Sequence, residues 1–263
     1  MSLNAAAEHA HAEYDPNVHD PHAHAHVKGF QHQFDHPLQQ KESATLGMWA
    51  FLATEIMFFG GVLFAYTIYR NYYHEAFVKA SNMEDVVVGF FNTLVLLASS
   101  FTMALAVHSA HHSNNRGIVR WLIVTLILGL MFIAVKGYEY HKIIVVEQLF
   151  PGPNFDPGYV DSHTGQIKHF FTDNERRPAQ IFFSLYFGMT GLHALHMIVG
   201  AGILVYLIRR AARNDFSHDY YTPVEIGGLY WHFVDIVWIF LYPLLYLVDR
   251  SNWIFHWPWE AVH

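Results

Sequence analysis

The stretch GGLYWHFVDIVWIFLYPLLY, residues 227–246, decides the fold. It holds twenty residues with one Asp, one His and no Lys or Arg. As a helix rising 1.5 Å per residue it spans about 30 Å, the thickness of a bilayer's hydrocarbon core. The period-2 alternation of a half-buried strand is absent, because apolar residues fill both phases. Four more apolar segments of similar length lie upstream, so the five approximate spans are 46–69, 86–108, 119–141, 181–208 and 227–249. In lipid an α-helix satisfies its own backbone. The expected fold is therefore all-α, a polytopic membrane bundle of five transmembrane helices.

The rest of the chain agrees with that class. Of 263 residues, 53% are hydrophobic, 17% aromatic and only 14% charged, where a soluble chain carries about 25% charge. There is no cysteine, so disulfides and thiolate metal sites are excluded. The net charge of −7 argues against nucleic-acid binding, which needs a basic face. Residues 1–16, MSLNAAAEHAHAEYDP, lack a basic start followed by an apolar run and do not read as a cleaved leader.

Residues 1–44 read as a polar tail that does not fold alone. It carries eight of the 21 histidines: His9, His11, His19, His22, His24, His26, His32 and His36. Such a tract can bind transition metals weakly, or it is simply a solvated tail of biased composition. The loop at 142–180, with PGPNFDPG and later RRP, reads as a small ordered cap. The segment 251–263 supplies Trp253, Trp257 and Trp259, and with Tyr242 and Tyr246 it has the aromatic content of a bilayer surface. Arg116, Arg120, Arg209, Arg210 and Arg213 fall in short loops on the side of the N-terminus. The positive-inside rule then puts the N-terminus in the cytoplasm and the C-terminus outside.

Polar residues inside spans need a reason. Glu55 stands about 14 Å into a helix that starts near Leu46. It is either an acid open to protons or headgroups, or a protonated carboxyl bonding a neighbouring helix. Glu139 follows Lys136 by three residues, which allows an ion pair near the helix end. Asn92, Thr93, Ser99 and Ser100 can bridge helices. In the fifth span His232 and Asp235 are i, i+3 and can bond each other or clamp a partner helix; Trp231 and Trp238 share a face. In the fourth, His193 and His196 are also i, i+3, beside glycines that let a neighbour approach.

The histidines raise a metal reading. HSAHH (108–112) places His108, His111 and His112 on one helix face, and membrane di-iron desaturases use such clusters. That chemistry needs several clusters at one level, whereas His193 and His196 fall inside the bilayer and His141, His163 and His169 are scattered on the opposite side from HSAHH. A stand-alone transporter is also disfavoured, since five spans give no inverted repeat.

Five stretches taken together resemble subunit III of haem–copper oxidases, the cytochrome c and quinol oxidases of respiratory chains. They are ATEIMFFGGVLFAY (53–66), NTLVLLASS (92–100), GYEY (137–140), YFGMTGLHALHMIVG (186–200) and GLYWHFVDIVWIFLYPLLY (228–246). The resemblance covers all five spans but neither the tail nor the 142–180 loop. It implies a membrane-buried, carbodiimide-reactive carboxylate at Glu55, a histidine pair at His193 and His196, and packing or lipid-cleft roles for Trp231, His232, Asp235, Glu139 and Asn92. It further implies that haem and copper belong to subunits I and II, and that this chain carries no catalytic or metal-ligating residue. Such a chain packs on subunit I, binds membrane phospholipid and supports proton uptake during oxygen reduction. A bacterial inner membrane is the expected location and a cytochrome c oxidase the expected complex; a quinol oxidase or a nitric oxide reductase accessory subunit fits the same motifs. Many members of the family have seven helices, the first two forming a wall of the lipid cleft, whereas this chain has five.

Overall fold

The structure is a computed structural model, and it describes residues 31–248 except 32, 147–148, 153–154, 156–157, 161–166 and 218–219. Most of the histidine-rich segment, and the aromatic segment 251–263, lie outside the described residues.

Five helices are long and apolar enough to cross a membrane. They are α1 (Pro37–Tyr72), α3 (Val86–His111), α4 (Asn115–His141), α5 (Asp173–Ala212) and α6 (Thr222–Tyr246). The short α2 (His74–Ser81) joins the first two. Among the described residues of the 142–180 region, a π-helical turn at Lys142–Val146 extends α4. Strands β1 (Gly158–Val160) and β2 (Ile167–His169) then pair antiparallel, with Gly158 opposite His169.

The helices outrun the apolar segments that mark them. α1 starts at Pro37, nine residues before the apolar run, so 37–44 are helical and not part of a structureless tail. Pro37 suits a first helical position, where its missing N–H bonds nothing anyway. α5 starts at Asp173, eight residues before its apolar run, and the Thr172 N–H donates to Glu175 Oε2 at 3.1 Å. That contact is half of a capping box. Glu175 also pairs with Lys79, which ties α2 to α5. Asp85 caps α3 by accepting from Val87 and Val88, and Asn114 caps α4 through the Gly117 N–H.

The bundle is built around α6. In its most apolar window 61% of residues are buried within the chain, against 17% for α1. Helix α6 packs on α1, α3 and α5, and α4 closes the far side between α3 and α5. The large side chains of α6 need room: a Cβ added at Gly129 of α4 would meet the Trp231 ring at 2.7 Å, and one at Gly200 of α5 would meet it at 3.0 Å. Those two glycines let the indole lie between the helices. α1 is applied from outside through one stripe, Met48, Leu52, Phe59 and Tyr66, at helical spacing. Its opposite face, including Ile56, Met57 and Phe64, is exposed, as expected of a helix facing lipid or a partner.

Candidate functional site

Glu55 lies on the buried stripe of α1, between Leu52 and Phe59, near the middle of the helix. It does not face α1's own neighbours in sequence but reaches across to α5. His196 Nε2 stands 3.1 Å from Glu55 Oε2. His196 Nδ1 is 2.8 Å from the Leu192 carbonyl, one turn earlier. A carbonyl only accepts, so Nδ1 must carry a hydrogen. Nε2 is then either a bare acceptor facing a protonated Glu55 or a donor facing a carboxylate. In both cases the two residues hold one proton between them. The side chains keep 16% and 19% of their exposure, so the pair is partly open. Phe59 packs on the imidazole at 5.3 Å, and Tyr230 of α6 donates to the His196 carbonyl at 3.0 Å.

The second histidine of GLHALH behaves differently. His193 is 1% exposed, lies between the rings of Phe132 and Trp238, and neither of its nitrogens has a hydrogen bond. The i, i+3 spacing puts both histidines on the inward side of α5, but only His196 finds an acid.

On α6 the indole of Trp231 donates to Ser99 Oγ at 3.0 Å and that of Trp238 to Thr93 Oγ1 at 3.0 Å, both on α3. These bonds realise the bridging expected of Thr93 and Ser99. The bond expected within α6, from His232 to Asp235, does not form. His232 Nδ1 instead meets Ser100 Oγ of α3 at 2.7 Å, and the buried Asp235 carboxyl does not bond the histidine. A cross-helix hydroxyl outcompetes the local acid. Asn92 reaches the Phe132 carbonyl of α4 at 3.5 Å, and its Oδ1 is unbonded.

Glu139 and Lys136 form their ion pair at 3.0 Å, but inside protein and not at an exposed helix end. Lys136 Nζ also reaches Tyr186 at 3.1 Å and Tyr246 at 2.7 Å, and both hydroxyls donate to Glu139 Oε1. Four aromatic rings, those of Tyr140, Tyr186, Trp238 and Tyr246, stand within cation–π range of the ammonium. The two tyrosines come from α5 and α6. No local spacing announces them, and this nest went unforeseen apart from its Lys–Glu core.

The HSAHH histidines do not converge. His108 and His112 stack on each other with centroids 4.5 Å apart, whereas His111 turns to Glu225 of α6 at 3.2 Å. They close α3 at one end of the bundle, while His196 sits mid-helix on α5 with Glu55. Among the described residues no group of three or more His, Asp or Glu could hold a metal ion.

The comparisons with known proteins follow the same line. The family model described as cytochrome c oxidase subunit III matches residues 25–146 and 170–250, which takes in every membrane helix and the Glu55–His196 pair. A probable cytochrome c oxidase subunit 3 of Mycobacterium leprae is 29% identical over 216 residues, covering 81% of this chain and 92% of the relative. A cytochrome c oxidase subunit 3 of Thermostichus vulcanus is 28% identical over 217 residues, covering 82% and 92%. The coelacanth Latimeria chalumnae has one that is 28% identical over 226 residues, covering 81% of this chain and 73% of its own length. A five-span bundle closed around a tryptophan-rich last helix, with a model match over both its halves, makes this multi-pass membrane chain a member of the cytochrome c oxidase subunit III family.

Proposed function

We propose that this chain is the subunit of a respiratory haem–copper terminal oxidase that holds no redox centre of its own. It packs on subunit I, while subunits I and II hold haem and copper and receive electrons from cytochrome c. Its N-terminus faces the cytoplasm of a bacterial cell, as the arginine-rich loops favour. Its task is to support proton uptake by its neighbour and to keep phospholipid in place.

The observation that carries this reading is the Glu55–His196 pair, near the middle of α1 and partly open. Bare charge is costly in hydrocarbon. A carboxyl and an imidazole sharing one proton avoid that cost, since the proton can sit on either without changing the pair's net charge. The Leu192 carbonyl fixes the tautomer, so the pair presents the same face to whatever lies beyond α1. Phospholipid contact has support too: an apolar groove of about 320 Å³ between α3 and α4, lined by Val87, Phe91, Val95, Met131 and Val135, is shaped for an acyl chain.

The test is a gentle-detergent purification through this chain, followed by a reduced-minus-oxidised spectrum and iron and copper analysis. Haem and copper are expected in the complex and neither in the separated chain. Non-haem iron that stays with the separated chain would overturn the assignment.

A further inference from the structure

Two arginines at one end of the bundle find no partner among the described residues. Arg116 and Arg120 lie four apart on the first two turns of α4, so they share a face. Among the described residues neither enters an ion pair or a hydrogen bond. Arg210, at the same end, is satisfied: Asp215 lies 3.5 Å away, and Tyr206 and Tyr220 each accept from it at 3.3 Å.

Between these two arginines and the end of α5 is a pocket of about 350 Å³. Asn115, Arg116, Arg120 and Asn214 line its polar part, and Val119 and Ala212 its apolar part. The alanine at the end of α5 leaves room where a longer side chain would close the space. Asn115 donates from Nδ2 to the Phe216 carbonyl at 2.8 Å, but its buried Oδ1 accepts nothing. The pocket therefore has two cations unpartnered among the described residues and one unbonded acceptor; the positive end of α4 and the negative end of α5 meet there and offset each other, so the arginines set its charge. It sits where two candidate membrane spans end, which would put it near headgroup depth in a bilayer.

We infer that this pocket between the start of α4 and the end of α5 holds the headgroup of an anionic phospholipid, with its phosphodiester between Arg116 and Arg120. Guanidinium forks match the two non-bridging oxygens of a phosphodiester. A hydroxylated headgroup such as glycerol supplies the hydrogen that Asn115 Oδ1 lacks. Basic pockets between membrane helices bind such headgroups by the same forces. Neither Arg210 nor its tyrosines line the site, and it needs only that α4 and α5 cross a bilayer. It does not depend on which redox subunits accompany the chain.

The experiment uses the intact complex in nanodiscs of phosphatidylcholine with a minor fraction of phosphatidylglycerol. Native mass spectrometry then counts the phosphatidylglycerol retained after release into detergent. The double variant Arg116→Gln/Arg120→Gln should hold one such lipid fewer, its affinity falling about thirtyfold. Ala212→Trp keeps every charge and fills the pocket, and it should lose the same lipid. Arg213→Gln, which removes a charge at the same end outside the pocket, should lose none. Equal counts in all four proteins would overturn the site. An equal loss in Arg213→Gln would reduce it to diffuse surface attraction, and displacement by millimolar inorganic phosphate would make it a soluble-anion site; either result defeats the inference. Haem content of the same preparations reports separately on the proposed partners.

Discussion

Two of the acid–base pairs among the described residues, Lys136–Glu139 and Glu55–His196, are built in opposite ways. Lys136 and Glu139 are 3.0 Å apart, each 6% exposed, enclosed by tyrosines from two other helices. Glu55 and His196 are 3.1 Å apart, three times as exposed, joined across a single seam between α1 and α5. The first pair has its lone pairs and hydrogens satisfied by protein and locks three helices together. The second leaves one Glu55 oxygen and one edge of the seam for something outside the chain. Two pairs of similar length thus differ in what surrounds them: protein on all sides of the first, an open edge beside the second.

The largest expected effect tests the sealed pair. Glu139→Leu strands the ammonium of Lys136 and should cost about 3–5 kcal/mol, read as an early thermal loss of this chain from the complex. Lys136→Met with Glu139→Leu should recover most of that loss; equal damage in single and double variants would show that the pair is not what holds that end. Next comes the packing that keeps the interior closed. Gly129→Ala drives a methyl against Trp231 and should cost about 1–3 kcal/mol. Gly137→Ala, with open space at its Cβ, should be neutral or gain up to about 1 kcal/mol.

Smaller stability effects are expected at the open pair. Glu55→Gln should leave haem and copper content intact and change stability by no more than about 1 kcal/mol, while turnover decays sooner in a sustained oxygen-consumption assay. Loss of haem from that variant would remove the supporting role given to Glu55. The smallest effect separates the two histidines. His193→Phe, between Phe132 and Trp238, exchanges two unbonded nitrogens for a slightly larger ring, should stay within about 1 kcal/mol of wild type and leave endurance unchanged, whereas His196→Phe should copy Glu55→Gln. Identical behaviour of the two histidine variants would erase the distinction between an unbonded core imidazole and a proton-sharing one.

Hydropathy made the five spans legible, because a stretch of some twenty largely apolar residues is the mark of a membrane helix. It could not show where helices continue past the bilayer. Residues 37–45, PLQQKESAT, are polar, so α1's first turns left no apolar trace, although Pro37 was a start signal. Thr172 and Glu175 spelled out a capping box before α5, and α2 is too short for periodicity to register. Within helices, spacing named the right polar residues but not their partners. His232 and Asp235 look paired at i, i+3, yet the Ser100 hydroxyl on α3 takes the histidine. Glu55 stood out as a buried acid, and His196 as one of two equivalent histidines; only the approach of α1 to α5 distinguishes them. Tertiary geometry alone brings Tyr186 and Tyr246 to Lys136.

The helix at the centre of the bundle is also the last of the five spans along the chain, and that order constrains biosynthesis. α1, α3, α4 and α5 leave the translocation machinery before the surface they are cut to fit exists. Gly129 and Gly200 then present a notch with nothing in it until Trp231 arrives. A chain stopped before α6 would have its helices inserted yet unable to settle. Membrane quality control therefore has a simple mark of an unfinished product: an unfilled seam, lined by Ser99, Thr93 and two glycines, that a finished chain never shows.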